Sequence, residues 1–377
     1  MTGPVPGKGD LDSASGAPLH PAAREVLLAA LDRGYADPRR LHRAGREARL
    51  LLDNAREATA AALGVRADEV TFTPSGTHAV HLGLLGLVRG SRRGSRVVHP
   101  AVEHSAVRQA VAWGAEGDDQ VVRVDRTGRV DAAGLVADAG SPDVGVVALQ
   151  TANHEVGTVQ PVGDVELPTD IPLFTDACAS MGRLPLPTGW TAAAGSAHKW
   201  GGPAGVGVLL VRKRARWRTP FPGDDRIDER STGFENVPAV LAAAASLQAV
   251  VAERDEVNAR HHALIDVVRR RVAAEVPDVE VVGDPDRRLP HLVTFSCLYV
   301  DGEALVTELD RFGFGIASGS ACTTTTLTPS HVLEAMGVLT HGNVRLSLQR
   351  DTTQADVDAF CDALPGLVAE IRARVGL

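Results

Sequence analysis

Ser196-Ala197-His198-Lys199-Trp200-Gly201-Gly202-Pro203 is the stretch that decides the fold of this chain. Lysine is scarce: Lys8 lies in a Gly/Pro-rich leader, Lys213 lies in a basic run, and Lys199 is the only other one. The apolar residues 205–211 follow it and are typical of a buried strand. Lys199 therefore lies on a glycine-rich turn into a core strand. Partly apolar surroundings weaken an amine's preference for its charged form, as a Schiff-base lysine requires, although a surface lysine before a strand gives the same pattern.

Length and charge limit what the protein can be. A chain of 377 residues is long for one hydrophobic core and predicts two lobes. Its net charge of −8 disfavours nucleic acid and anionic membranes as partners. No signal peptide or transmembrane run is apparent, so we expect a cytoplasmic protein. The four cysteines are widely spread, which predicts free thiols and neither a disulfide framework nor a metal site.

Strand-like and helix-like segments alternate through the first part of the chain. Helices are predicted at 21–31 and 43–63, and strands at 69–73, 96–98, 121–124, 144–149, 172–176 and in 192–199. This alternation predicts an α/β fold with a mostly parallel sheet that has helices on both faces. Ligands of such sheets bind at the carboxyl ends of the strands. The chemically useful side chains at those ends are His104, Asn153, His154, Asp176 and Lys199.

The remaining chain predicts a second lobe. An Ala-rich helix at 236–252 leads into it, and the lobe itself covers about 253–377. It begins with a second helix at 254–275 and ends with a helix at 353–375.

A phosphate cradle is predicted between the first strand and the helix after it. Ser75, Gly76 and Thr77 form a small-residue turn there, and the N–H groups at a helix start attract anions. An ordinary N-cap gives the same pattern. A pyridoxal phosphate (PLP) site needs such a cradle, a lysine, a carboxylate for the ring nitrogen and a flat group on the ring face. Lys199 is a candidate for the lysine, Asp176 for the carboxylate and His104 for the flat group.

Two residues of the second lobe are further candidates. Cys322 lies among small and hydroxyl residues, which favours an accessible thiol over the buried position usual for free cysteine. Arg345 is flanked by apolar strand residues and needs an anionic partner. That partner is either a substrate carboxylate or an internal Asp or Glu.

The chain resembles the cysteine desulfurases of the class V aminotransferase group, within the fold-type I PLP enzymes. The resemblance extends from Leu11 to the last helix. The motifs that carry it occur in family order and are 72–77, 103–106, 153–161, 176–177, 198–199, 233–237, 318–322 and 344–347.

The resemblance implies a fold and a set of roles. It implies a large PLP-binding domain, 16–252, with a mostly parallel seven-stranded sheet, and a smaller α+β domain, 1–15 with 253–377, that carries the cysteine loop. Lys199 would form the Schiff base and remove the α-proton, Cys322 would take the sulfur of L-cysteine as a persulfide, and Arg345 would bind the substrate carboxylate. The other implied cofactor contacts are Asp176 to the ring nitrogen, His104 on the ring face, and Thr77, Ser196 and His198 at the phosphate. A homodimer and a sulfur-acceptor protein are the implied partners.

Three positions depart from the family pattern. Ala179 replaces a Gln that bonds to the cofactor's phenolic oxygen, His154 replaces an Asn that faces cofactor and substrate, and Phe234 replaces a Thr that reaches the partner subunit's phosphate. We therefore expect His154 to contact cofactor and substrate and to change charge between about pH 5 and 8. The alternative is that its ring points into solvent or onto the backbone and that a water fills the gap at Ala179. The alternatives are a related PLP or selenocysteine lyase that does not need Cys322, and a PLP-binding pseudoenzyme that activates a partner.

Overall fold

A computed structural model describes residues 9–114, 118–222, 230–231, 233–318, 329–374 and 376. The strands are β1 Gly9–Asp10, β2 Val70–Thr73, β3 Arg96–Pro100, β4 Asp119–Val122, β5 Val144–Ala148, β6 Leu173–Asp176, β7 Ala192–Ser196, β8 Gly207–Val211, β9 Val279–Val282, β10 Leu292–Cys297, β11 Phe314–Gly315 and β12 Asn343–Ser347. The helices are α1 Pro21–Arg33, α2 Arg43–Leu63, α3 Gly76–Gly90, α4 Ser105–Gly114, α5 Ala132–Ala139, α6 Val237–Glu275, α7 Gly302–Arg311, α8 His331–Met336 and α9 Gln354–Arg374.

The central sheet has seven strands in the order β2-β8-β7-β6-β5-β3-β4. Only β8 runs against the others, since it pairs antiparallel with both of its neighbours. The inner strands β5, β7 and β8 are fully buried and consist mainly of Val, Ala, Leu and Gly, as a sheet covered by helices on both faces requires. The predicted α/β fold with a mostly parallel seven-stranded sheet is therefore confirmed.

A tight connection joins β7 to β8 and carries Lys199. A short 3₁₀ turn, Ala197–Lys199, follows β7, and the chain returns so that Ser196 pairs with Gly207. Only glycine fits at position 207, because a Cβ there would lie 2.2 Å from the carbonyl oxygen of Ser75. The glycine thus allows β8 to begin directly beside the turn before α3.

Helix α6 is a single helix of 39 residues, so the prediction of separate helices at 236–252 and 254–275 is wrong. Its sequence after Pro238 contains neither Gly nor Pro, and alanine with long charged side chains favours an unbroken helix. The predicted domain limit at 252/253 falls within it, and the division itself stays a prediction. By length and composition α6 could cross a bilayer, yet half of its most apolar window is buried inside the protein.

A second, three-stranded antiparallel sheet, β12-β10-β9, lies in the C-terminal part of the chain. Its core includes Phe295, Phe314 and Phe360 and also Leu11 from the N-terminal segment. β1 pairs with β11 next to this core. The amide of Ala17, a few residues later, donates to the carbonyl of His198 at 2.8 Å. The N-terminal segment 9–17 therefore links the small sheet to the Lys199 turn.

Candidate active site

One cavity of about 280 Å³ lies at the carboxyl ends of the parallel strands. Strands β2, β3, β5, β6 and β7 each end beside it, and the N-terminal segment and β12 close its other side. The residues that line it are Ala14, Ser15, Gly76, Thr77, Val80, His104, Ala106, Gln150, Ala152, His154, Asp176, Cys178, Ala179, Ser196, His198, Lys199 and Arg345. Most candidates from the sequence therefore meet in one place.

Backbone and side-chain contacts hold the Lys199 turn in position. A guanidinium N–H of Arg183 donates to the carbonyl of Lys199 at 3.3 Å, and the amide of Ala17 donates to that of His198. Trp200 is buried, and its indole N–H donates to the carbonyl of Ala243 in α6 at 3.2 Å. The lysine thus extends from a turn that is anchored on both sides.

The start of α3 forms a polar cradle beside the end of β7. The hydroxyl of Ser75 accepts from the amide of His78 at 3.0 Å and caps the helix, and Ser75 itself does not line the cavity. Among the described residues, nothing accepts the N–H groups of Gly76 and Thr77. A Cβ on Gly76 would lie 2.5 Å from Cβ of Ser196, so only glycine allows this approach. The Ser196 hydroxyl and Nδ1 of His198 are 3.1 Å apart at the same place.

Asp176 supplies the carboxylate at the end of β6. The residue is 7% exposed, and its Oδ1 accepts from the amide of Cys178 at 2.8 Å. Burial, followed by the charge of Asp176, raises the pKa of the Cys178 thiol well above its usual range. Cys178 therefore lines the site as a neutral thiol and is not an activated nucleophile.

His104 and His154 lie together over the cavity. Their ring centroids are 4.7 Å apart, and the rings meet edge to face. Nδ1 of His104 accepts from the amide of Ala106 at 3.1 Å, which leaves the proton of the neutral ring on Nε2. Burial lowers the pKa of His104, and burial together with His104, Lys199 and Arg345 lowers that of His154 well below its usual value. Burial therefore favours the neutral imidazole of His154, and the direction of this shift contradicts the expected titration near neutral pH.

Two buried glutamic acids lie behind the site. Burial and the nearby charge of Asp176 raise the pKa of Glu103 to about 8, and Oε1 of Glu103 accepts from the amide of Gln150 at 2.6 Å. Burial raises the pKa of Glu155 to about 7, and its Oε2 accepts from the hydroxyl of Ser330 at 2.8 Å. Both carboxyls are largely protonated below these values, so Asp176 lies beside a neutral neighbour.

Arg345 extends from β12 and already has an anionic partner. Its Nη2 lies 2.9 Å from Oδ1 of Asp12 and 2.6 Å from the hydroxyl of Ser15, and its Nη1 donates to the carbonyl of His154 at 3.1 Å. The internal carboxylate that the sequence left open is thus Asp12. Arg345 still lines the cavity, so it remains within reach of a ligand.

Some candidates lie elsewhere. Cys322 is outside the described residues. Phe234 is half-exposed, and its ring centroid lies 6.1 Å from that of Tyr35. Ala179 does line the cavity, and its partly buried side chain also packs against a small cluster that contains Ala14 and Leu292. Asn153 is a structural residue, because its Oδ1 accepts the amides of Glu155 and Val156.

Sequence reasoning missed several cavity residues. Ser15, Gln150 and Cys178 line the cavity, and Asp12 contacts Arg345 beside it, yet none of them was among the candidates. Gln150 and Cys178 closely follow predicted strand ends, which is a signal that could have identified them. Asp12 and Ser15 gave no such signal, because a polar pair in a short extended segment is unremarkable in sequence.

The residues fit pyridoxal phosphate. The Gly76 cradle accommodates a phosphate where N–H groups lack acceptors, Asp176 is available to a pyridine nitrogen, and the His104 ring offers a flat face. Nδ1 of His154 is buried and has no hydrogen-bond partner among the described residues, as expected where a polar ligand atom belongs. All four groups surround the cavity into which Lys199 extends.

Comparison with known proteins agrees with this geometry. The family model "Aminotransferase class-V" matches residues 11–360. The "IscS-like cysteine desulfurase" of Mycobacterium tuberculosis is 37% identical and covers 96% of both chains. "Cysteine desulfurase IscS" of Dictyoglomus turgidum is 32% identical over 96% of this chain and 95% of its own. A solved structure titled "NIFS-LIKE PROTEIN" superposes with a TM-score of 0.86 at 26% identity, over 96% of this chain and 99% of its own.

The family match and the relatives' coverage extend over nearly the whole chain, including every described residue of the cavity. The chain therefore belongs to the class-V aminotransferase family of PLP-dependent proteins, among its cysteine desulfurases.

Proposed function

We propose that this protein is a PLP-dependent cysteine desulfurase, which removes the sulfur of L-cysteine and leaves alanine. One observation carries the proposal: Lys199, Asp176, His104 and the Gly76–Thr77 turn surround a single cavity that Arg345 also lines. Relatives named cysteine desulfurase, at 30% identity or more over nearly the whole chain, support the same activity.

Seven of its residues would hold the cofactor. Lys199 would bind it covalently, Asp176 would keep its ring nitrogen protonated, and His104 would cover one ring face. The N–H groups of Gly76 and Thr77 would bind the phosphate with the hydroxyl of Ser196 and with His198. Bound pyridoxal phosphate supplies an electron sink for the electron pair left when the Cα proton of cysteine is removed.

The protein's own groups would do the remaining work. Arg345 would bind the carboxylate of cysteine, and the amine of Lys199 would take the Cα proton. His154 is neutral and partly buried beside Lys199, so it would serve as a hydrogen-bonding group for cofactor and substrate and add no charge. Burial of these groups excludes water and strengthens each polar contact.

Cys322 is the proposed sulfur acceptor on the enzyme, and the resemblance alone supports this role. Its thiolate would attack the sulfur of the bound substrate, so that an S–S bond forms while the Cβ–S bond of cysteine breaks. The persulfide would then pass to an acceptor protein. None of the described cysteines replaces it in this role, since Cys297 and Cys361 are buried and Cys178 has a strongly raised thiol pKa.

We infer that the protein forms a homodimer in the cytoplasm. Large apolar side chains remain exposed on and near α1, among them Leu28, Leu31, Tyr35 and Phe234. Such a group favours association with a second copy over contact with water. Sedimentation of the purified protein tests this: a single species of monomer mass at micromolar concentration would contradict the dimer.

The test of the activity is to measure alanine and sulfide released from L-cysteine by the PLP-loaded protein. We expect both products, and we expect Lys199→Ala to abolish them together with the protein's yellow colour. Cys322→Ser separates a desulfurase from a lyase, because only the desulfurase needs the thiol to release sulfur. A PLP-loaded protein that releases neither product would contradict the proposal and favour the pseudoenzyme.

A further inference from the structure

The guanidinium of Arg345 is engaged before any ligand arrives. Its side chain is 7% exposed, and Nη2 contacts both Oδ1 of Asp12 at 2.9 Å and the hydroxyl of Ser15 at 2.6 Å. Nη1 gives one proton to the carbonyl of His154. Nε is buried and has no hydrogen-bond partner among the described residues.

These contacts leave no complete edge for a carboxylate. A carboxylate held by two parallel hydrogen bonds takes protons either from Nη1 and Nη2 or from Nε and Nη2. Both edges need an Nη2 proton, and the two Nη2 protons of Arg345 are directed at Asp12 and Ser15. A second carboxylate must therefore take an Nη2 proton from one of them. Ser15 is the weaker competitor because its hydroxyl is neutral.

Asp12 cannot easily move away to make room. Its backbone amide donates to Oδ1 of Asp10 at 3.0 Å, and its backbone bridges to Ser347, two residues after Arg345 on β12. On its other side, the hydroxyl of Ser13 donates to the carbonyl of Leu348 at 2.7 Å. The backbone of Asp12 is thus held beside β12, which keeps its carboxylate within reach of Arg345 when a ligand enters.

We propose that Asp12 is a resident counter-ion of Arg345 that competes with the substrate carboxylate and so limits how tightly the site binds it. Ser15 gives up its Nη2 proton to the incoming carboxylate, while Asp12 remains as a second negative charge on the same guanidinium. This inference depends on the proposed role of Arg345 as the carboxylate-binding residue. It makes Asp12 a residue that sets the affinity for the substrate carboxylate from outside the catalytic machinery.

The proposal predicts that removing the charge of Asp12 makes a carboxylate ligand bind more tightly. Loss of an ordinary positioning residue weakens ligand binding, whereas loss of a competing counter-ion strengthens it. In Asp12→Asn, the buried guanidinium lacks its anion, and a ligand carboxylate restores it. We expect such a ligand to bind about tenfold more tightly, which corresponds to about 1.4 kcal/mol.

The experiment is calorimetric titration of the PLP-loaded protein with 3-mercaptopropionate, which has the thiol and carboxylate of cysteine but no amine. Asp12→Asn should lower its Kd about tenfold. Asp10→Asn is the matched control: it removes the same charge two residues away, and its amide oxygen can still accept the N–H of Asp12. It should leave the Kd within about twofold. Ethanethiol, which lacks the carboxylate, should bind both variants and the wild type equally.

A thermal measurement covers the case of a poorly folded variant. Added 3-mercaptopropionate should raise the melting temperature of Asp12→Asn more than that of the wild type, because the ligand replaces the missing anion. An unchanged or higher Kd in Asp12→Asn, or an equal thermal shift, would overturn the proposal. Arg345→Gln tests the role of Arg345 separately from the role of Asp12. If this variant binds 3-mercaptopropionate as well as the wild type does, the assignment of Arg345 as the carboxylate-binding residue fails. If it loses binding while Asp12→Asn gains none, only the role of Asp12 fails.

Discussion

The rings of His104 and His154 meet edge to face, with centroids 4.7 Å apart and planes at 78°. Burial is the largest cause that lowers the pKa of both imidazoles, and it therefore favours their neutral forms. The pair therefore presents aromatic surface and neutral N–H and N groups to the cavity. We therefore do not expect His104 and His154 to act as a pair of proton-accepting groups near neutral pH.

The first prediction concerns the pH response of the bound cofactor. Because the pKa of His154 lies well below its usual value, its charge does not change near neutrality. We expect the absorbance of bound PLP to titrate in the same number of steps in the wild type and in His154→Asn between about pH 6 and 8. An additional wild-type step that disappears in the variant would contradict the neutral imidazole.

The second prediction concerns Glu103. Its pKa of about 8 exceeds that of an unfolded chain, so the folded state holds a proton that the unfolded state loses. This group's contribution to stability is complete below about pH 4.5 and declines as the pH rises towards 8. Glu103→Gln keeps an acceptor for the amide of Gln150 and removes the titration. We expect it to raise the free energy of unfolding at pH 8 by up to about 4 kcal/mol, and by much less at pH 5.

Urea unfolding of both proteins at the two pH values measures this difference. The variant should unfold at a higher urea concentration at pH 8. A gain of the same size at both pH values would mean that a change in packing, and not the proton, is responsible.

The third prediction tests the cradle at the start of α3. A Cβ at Gly76 would lie 2.5 Å from Cβ of Ser196, so Gly76→Ala must displace the helix start. We expect PLP to be lost during dialysis at least about tenfold more readily, because the N–H groups no longer converge on the phosphate. Gly366→Ala is the control, since nothing lies within 4 Å of a Cβ in that position in α9. Equal PLP retention in both variants would argue against the cradle.

The fourth prediction concerns acid stability and His261. This residue is fully buried, its Nε2 lies 3.0 Å from the carbonyl oxygen of Gln349, and burial lowers its pKa to about 4. Below about pH 6.5 this histidine binds a proton in the unfolded chain, whereas in the folded chain it binds one only near pH 4. Stability from this group is complete above pH 6.5 and falls as the pH approaches 4.

Between these pH values we expect the free energy of unfolding to fall less in His261→Gln than in the wild type. The difference should reach about 3 kcal/mol at pH 4. Thermal unfolding across the range measures it. His262→Gln is the comparison, because that neighbouring histidine is only partly buried and its pKa is lowered by burial to a lesser extent. Parallel pH curves for the wild type and His261→Gln would show that His261 does not set the acid limit.

The helix and strand pattern was largely readable from the sequence. Helix α2 lies where the spacing of apolar residues put it, and the strand that ends at Asp176 begins one residue later than predicted. Alternating strands and helices fix the direction of the sheet, so the carboxyl-end side chains Lys199, Asp176 and His104 were bound to converge. The break predicted within α6 was wrong because charged residues at 253–256 are as compatible with helix as the alanines before them.

Sequence by itself thus determined the class of fold, the family and the chemistry-bearing residues on the parallel strands, because local periodicity and strand direction are encoded by neighbouring residues. Only the tertiary structure decided the partner of Arg345 and the charge state of His154. Asp12 and Arg345 are more than 300 residues apart in the chain and meet because β1 joins β11 and the N-terminal segment bridges to β12. The pKa of His154 depends on burial and on the charges around it, and both arise only when distant segments pack together.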